Sequence, residues 1–307
     1  MDALSLDQFA VFVTVADTGS FSAAARRLNR VQSAITYTIA RLEDQVQVAL
    51  FDRSGYRPVP TPAGTALLPQ ARRILAELDA FRSQAAGLSR GLEAELSIVI
   101  ETMAPMALAV EMLAALRRRY PSVRTRVLVE TLGAASGAVI GGAADIGILT
   151  AFASDSPALV RVPVGEISLV PVAAPAHPLA RAGRPLETGD LRDHLQLVLT
   201  DRSEQTAGRD HGVAATSTWR IADLGAKHAL LLAGVGWGSM PAHMVAGDLT
   251  AGRLVELAVR SWDGAAGPPR LPLVAARRAD AAAGPAGRWF MDELERRSPA
   301  SRAANPP

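Results

Sequence analysis

Apolar residues in the first sixty positions recur at helical intervals in three short runs, each closed by residues that interrupt a helix. Leu6, Phe9, Val13 and Ala16 follow Ser5, and Gln8 stands three places past that serine, the spacing of a capping box. Asp17, Thr18 and Gly19 stop the run. A second helix is expected from Ser20 or Ser22 to Leu28, with Asn29 accepting the left-handed turn at its exit. A third begins near Gln32. At about 100° per residue, Ile35, Ile39, Leu42 and Val46 fall in one narrow arc and turn inward, which sends Ser33, Thr36, Tyr37, Ala40 and Arg41 outward.

After Leu50 and Phe51 the pattern becomes that of a hairpin or wing, with its turn at Ser54 and Gly55. Thr61 and Pro62 have the cap-then-proline order of a helix start, and Leu67, Leu68, Ile74, Leu75, Leu78, Phe81 and Leu88 carry that helix across residues 62–90. Its long apolar side calls for a partner helix, either from a second copy or from its own chain. From residue 95 strands and helices alternate. Strands are expected at Leu96–Ile100, Val123–Val129, Asp145–Leu149, Ile167–Ala173, Leu195–Thr200, Thr218–Ile221 and Leu271–Ala275. Helices fall at Met106–Arg119, near 222–233 and near 285–296. This grammar implies a parallel sheet with helical crossovers, an α/β segment behind an all-α one. The expected division is 1–61, 62–90 and 95–297, with a frayed tail at 298–307.

A chain of 307 residues suits two domains, and 49% hydrophobic with 20% charged residues is ordinary globular composition. Thirty-two basic against 30 acidic residues leave +2 overall, so any affinity for polyanions must be local. Lys227 is the sole lysine, a usage given no functional weight. Without cysteine there is no disulfide, thiolate nucleophile or thiolate metal site. No basic segment followed by an apolar run opens the chain, and the most apolar run, Ala229–Val235, is too short for a bilayer. A cytoplasmic protein with no membrane partner is therefore expected. The histidines lack HxH or HExxH spacing, Ser239 lacks a GxSxG elbow, and no nucleophile accompanies Glu101 and Glu130. No enzyme activity, metal or cofactor is expected.

Two helices joined by a four-residue turn, the second with short polar groups outward, form a helix-turn-helix. Side chains entering the major groove must be short or able to bond base edges. Gln32 could pair with adenine, the Ser33 and Thr36 hydroxyls and Tyr37 could reach bases or phosphates, and Arg30 sits where a phosphate should pass. Arg53 and Arg57 on the wing could reach the adjacent backbone or minor groove. Six arginines against three carboxylates in 20–60 give a local excess of +3, Arg41 included. The bland reading makes these the exposed polar residues of a small bundle. Their combined order resembles the LysR-type transcriptional regulators: FAVFVTVADTGSFSAAARR from Phe9, then Gln32, Ser33 and Ala34, then Ile39, Leu42 and Glu43, then LFDRSGYRP from Leu50 and TPAG from Thr61. Val31, Thr36 and Pro60 depart from the family's usual residues. The resemblance implies a winged helix-turn-helix, a dimerising linker helix, double-stranded DNA, RNA polymerase and a second copy of the chain as partners.

The resemblance continues through RRRYPSV from Arg117, GGAADIGIL from Gly141, AHPLA from Ala176 and GVGWGSMP from Gly234. It implies a two-lobed effector domain like a periplasmic binding protein, lobe I about 95–161 and 268–297, lobe II about 162–267. The chain should then cross between lobes near 161–166 and 262–270, with a small-molecule effector in the cleft. Strand ends nominate Thr102, Met103, Leu132, Gly133, Thr150, Thr200 and Asp201, with Val235 and Trp237 from the glycine stretch. That stretch is read as a strand turning tightly into a helix near Ser239 and Pro241, without a bound phosphate. If Glu101, Glu130 and Asp201 face the cleft, a neutral or partly cationic effector fits better than a dicarboxylate. The rival readings are a solute-binding receptor with a helical N-terminal extension and an enzyme carrying a DNA-binding segment.

Overall fold

The computed structural model describes residues 4–55, 57–150, 156–201, 203, 211–260 and 269–298. The chain divides into two compact units, Met1–Ser89 and Arg90–Pro307.

In the first unit, α1 (Leu6–Thr18) begins at Ser5 with the reciprocal Ser5–Gln8 capping box and ends on left-handed Gly19. Ser20 caps α2 (Phe21–Arg27), and the turn to α3 (Gln32–Val46) passes through left-handed Asn29. Ile35, Ile39 and Leu42 pack with Val11, Phe12, Val15, Ala24 and Ala25, and Val46 is half-buried at the rim. Val31, standing where the family usually has a hydroxyl residue, starts α3 without a side-chain cap. The strands β1 (Phe51–Asp52) and β2 (Val59–Pro60) pair antiparallel as the wing. Tyr56, in the wing loop, lies outside the described residues.

Thr61 caps α4 (Pro62–Leu88), donating its own hydroxyl to Ala49 O at 2.6 Å while its Oγ1 accepts Gly64 N at 3.0 Å. Helix and wing meet over the Leu50 carbonyl, where a Cβ on Gly64 would lie 2.1 Å from the oxygen. A glycine is therefore required in the TPAG stretch for contact, not for backbone freedom. Leu67, Leu68 and Ala71 of α4 join the core, whereas Ile74, Phe81 and Leu88 are exposed, Phe81 by 69%.

The second unit is one mixed sheet of parallel and antiparallel strands. In its first half β3 (Glu95–Glu101) pairs parallel with β4 (Arg124–Glu130) and β5 (Ile146–Thr150). Helices α5 (Met106–Arg119) and α6 (Gly133–Ile140) follow β3 and β4. Alternation along β3 sends Ile98 and Ile100 into the main core, with Met112 and Phe290, and Val99 into the cluster with Ala135 and Val139 of α6. Both faces are thus covered. In the second half β7 (Gln196–Leu199) pairs parallel with β8 (Thr218–Ile221) and touches β9 (Trp237–Pro241). The helices there are α7 (Thr188–Arg192), α8 (Leu224–Leu232) and α9 (Ala242–Thr250), and the short β10 (Val255–Glu256) pairs with the end of β6. Helix α10 (Pro285–Arg297) returns to the first half, its Trp289 ring edge-on to Tyr120.

Two long strands join the halves. Strand β6 (Leu159–Ala173) pairs antiparallel with β11 (Arg270–Arg278) and then, from Leu169, with β9. The parallel sheet expected from the sequence is corrected to a mixed one, because the returning strands β6 and β11 run antiparallel to their neighbours. The crossing near 161–166 is a continuous strand, and its register slips between Gly165 and Pro163 opposite Leu273 and Val274. Such a bulge accommodates a proline and bends the strand as it passes between lobes. Most of the second expected crossing, and the tail beyond Ser298, lie outside the described residues.

Candidate DNA interface and effector cavity

On α3, Gln32, Ser33, Tyr37, Ala40 and Arg41 are exposed, Tyr37 by 66%, and Thr36 is half-buried. The Thr36 hydroxyl donates back to Gln32 O at 3.1 Å, so toward a ligand it presents lone pairs and a methyl group. Arg30 makes a bidentate pair with Asp7 at 2.7 and 2.8 Å, which raises its pKa further above its ordinary value. Both partners are exposed, so the pair is worth no more than about 1 kcal/mol and a phosphate can displace it. Glu43, which enters the sequence reading only through the family pattern and the local charge count, accepts Leu50 N and Phe51 N at Oε1 and Arg53 at 2.7 Å at Oε2. It ties the wing to α3 and, with the Phe21 ring 5.2 Å beneath the Arg53 guanidinium, aims that arginine. Arg57 is exposed.

In the second unit a cavity of about 380 Å³ opens between the lobes, within the size range of small-molecule sites. Met103 and Leu132 line it from the first lobe, Leu169 and Leu271 from the joining strands, and Leu197, Leu224, Lys227, Ser239 and Pro241 from the second. Of the nine residues nominated from the sequence, only Met103 and Leu132 reach this lining. Leu132 has φ +48° and ψ −125°, a conformation costing roughly 1–3 kcal/mol in a non-glycine residue, at the corner that closes the cavity. Gly133 is buried at the start of α6, and Thr200 is half-buried with its N–H on Ile221 O. The buried Thr102 hydroxyl has no partner among the described residues.

Thr150 is spent elsewhere: its N–H and hydroxyl both donate to Glu101 Oε2, the former at 2.6 Å. Burial pushes the Glu101 carboxyl up to about 7, against those bonds and with the nearby Asp201 charge adding to the rise. Glu130, its register neighbour, is exposed, so the two carboxylates do not converge. Asp201 Oδ2 accepts Ala134 N at 2.8 Å at the start of α6, and the Thr131 hydroxyl donates to Ala222 O at 3.1 Å; both bonds span the lobes.

Val235 and Trp237 need correction. Gly234, at φ +74°, ends α8, and the glycine stretch leads from that helix into strand β9, the reverse of the expected order. Gly236 and Gly238 let β9 press on β7, since a Cβ at either would lie 2.5 or 2.6 Å from the Leu195 or Leu197 carbonyl. Trp237 therefore falls at the end of β9 away from the cavity, fully buried with Ala173, Leu179, Leu186, Leu191 and Leu257. Val235 is half-buried in the turn before it, and Ser239 and Pro241 occupy the cavity end. Sequence reasoning also passed over Lys227. It is 3% exposed, lies on the buried stripe Leu224–Lys227–Leu231 of α8, and donates from Nζ to Ser239 O at 2.7 Å. Burial lowers its pKa to about 8.

No described helix is long and apolar enough to cross a membrane, and the described residues contain no group of three or more acidic or histidine side chains placed to hold a metal ion.

A winged helix-turn-helix ahead of a two-lobed α/β unit with a cavity between its lobes defines a ligand-responsive DNA-binding regulator. The chain belongs to the LysR family of transcriptional regulators, which bind double-stranded DNA through the helix-turn-helix and carry an effector-binding domain. Residues 6–65 match the model of the bacterial regulatory helix-turn-helix protein, lysR family, and residues 89–299 that of the LysR substrate binding domain. The chain is 30% identical over 311 residues to the probable HTH-type transcriptional regulator YhaJ of Escherichia coli, covering 95% of this chain and 96% of that one. It is also 30% identical over 266 residues to the HTH-type transcriptional activator AllS of Klebsiella pneumoniae, covering 83% and 96%. Among solved structures, a hydrogen-peroxide-bound cysteine-to-serine mutant of Corynebacterium glutamicum OxyR shares the fold at a TM-score of 0.55 and 24% identity, covering 99% of this chain and 97% of that one.

Proposed function

We propose that the face of α3 opposite Ile35, Ile39 and Leu42 enters the major groove, with Gln32, Ser33, Thr36 and Tyr37 at base edges. Arg30, Arg41, Arg53 and Arg57 then engage the phosphate backbone. The observation that carries this reading is the sharp division of α3: three large side chains at 1% exposure or less on one face, short polar groups and Tyr37 on the other. The exposed Ile74, Phe81 and Leu88 of α4, with the half-buried Leu78, recur at spacings of four, three and seven, which suits pairing with the same helix of a second copy. A dimer presents two recognition helices and reads a partly palindromic site. The cavity is a binding site rather than an active site, and its occupant alters transcription by shifting the lobes about the β6–β11 connection, as expected of a cytoplasmic regulator that works with RNA polymerase.

Thr36→Ala and Tyr37→Ala should each weaken binding to a duplex from the protein's own upstream region by about tenfold, with little change on a random duplex. Arg30→Ala and Arg57→Ala should weaken both and lower the salt slope by about one. Fluorescence anisotropy across a salt series separates the two classes, and equal losses on both duplexes in all four variants would contradict the assignment of the reading face.

A further inference from the structure

The effector's chemical class can be drawn from the charge balance of the cavity, an inference that rests on reading that cavity as the effector site. We infer that the cavity takes a small monocarboxylate with an apolar aryl or branched-alkyl body, its carboxylate received by Lys227 Nζ and the Ser239 hydroxyl. The wall is largely aliphatic: Met103, Leu132, Leu169, Leu197, Leu224 and Leu271 leave room for a body that makes no hydrogen bonds. Among the described residues of the wall, Lys227 is the only lysine, arginine or carboxylate. One of its three ammonium protons is used by Ser239 O, and no described carboxylate pairs with it. A buried cation without a counter-ion is costly, and an entering anion removes that cost.

A second, independent sign lies beside it. The Ser239 Oγ is buried without a partner among the described residues, on the residue whose carbonyl holds the lysine. Buried hydroxyls are normally bonded, so an unpartnered one at a cavity wall is best explained by a ligand atom. The start of α6, a second place where an anion could be held, is already taken by Asp201 through Ala134 N. The carboxylates that favoured a neutral or cationic effector in the sequence do not line the cavity: Glu101 is buried against Thr150, Glu130 is exposed and Asp201 is bonded across the lobes. A dianion would bring a second charge against aliphatic side chains.

The test is calorimetry on the full chain with phenylacetate, benzoate and isovalerate, each beside its neutral amide and its amine counterpart. At least one acid should bind about tenfold or more tightly than its amide, and the amines should not bind. Lys227→Met should cost the acid about 10- to 100-fold and leave the amide unchanged. Ser239→Ala, which removes only an unpartnered hydroxyl, should keep the melting temperature and still weaken the acid severalfold, separating binding from folding. Amides binding as well as acids, no acid binding, or full acid affinity in Lys227→Met would each overturn the inference. An acid that binds with these variant effects but leaves the DNA complex unchanged would support the chemistry and overturn its effector role.

Discussion

Gly64→Ala is expected to destabilise the DNA-binding unit by about 3 kcal/mol or more and to remove specific DNA binding at ordinary salt. Elsewhere on a helix the same change stabilises, because alanine is the better helix former. Here the new methyl would lie 2.1 Å from the Leu50 oxygen and 3.1 Å from its carbonyl carbon, and both are main-chain atoms that cannot rotate away. Leu50 O also accepts Thr61 N at 3.0 Å, so separating helix from wing breaks the bond that seats β2 as well. Arg53 would lose its aim because its partner Glu43 also holds Leu50 N and Phe51 N. Differential scanning calorimetry should show a lowered transition for residues 1–89 beside an unchanged one for residues 90–307, and a wild-type profile would refute the packing described here.

Glu101→Gln should remove a pH dependence of stability. The Glu101 carboxyl is held up to about 7 in the folded chain against 4.5 as its ordinary value, chiefly by burial. A folded pKa raised above the unfolded one contributes stability that is complete below about 4.5 and is lost as pH rises through 7. Glutamine has no such titration. The stability of the variant relative to the wild type should therefore rise by roughly 3 kcal/mol between pH 4.5 and pH 8, whatever the offset at acid pH. Urea unfolding at four or five pH values checks this, and a constant difference across the window would mean that the carboxyl is ionised throughout.

The sequence disclosed the first unit almost completely because its information is local. Ser5 with Gln8, Gly19, Asn29, and Thr61 with Pro62 each act within four residues, and the stripe of α3 lies on a single helix. The second unit depends on pairings more than a hundred residues apart. Pro163 and Pro171 hide a fifteen-residue strand by interrupting its apolar run, and only the β6–β11 register shows how it joins the lobes. Strand β9 was missed because its glycines were credited with turning the chain, whereas they allow close approach to β7. That error carried the choice to Val235 and Trp237 instead of Ser239 and Pro241. Lys227 did leave a local signal. A lone lysine in a chain that otherwise uses arginine, placed between Leu224 and Leu231 on the inward stripe of α8, is a buried amine, and a buried amine needs a reason.

DNA recognition depends on the polar face of α3 lying in the major groove, and the absence of cysteine makes a direct measurement simple. Ser33→Cys carries a unique thiol to which an iron chelate can be attached, and ascorbate then cuts DNA within reach of that position. Two clusters of cuts, one in each half of the site and offset across the strands as a major-groove source requires, are the predicted result. Uniform cutting, or none on a duplex that the labelled protein demonstrably binds, would contradict it.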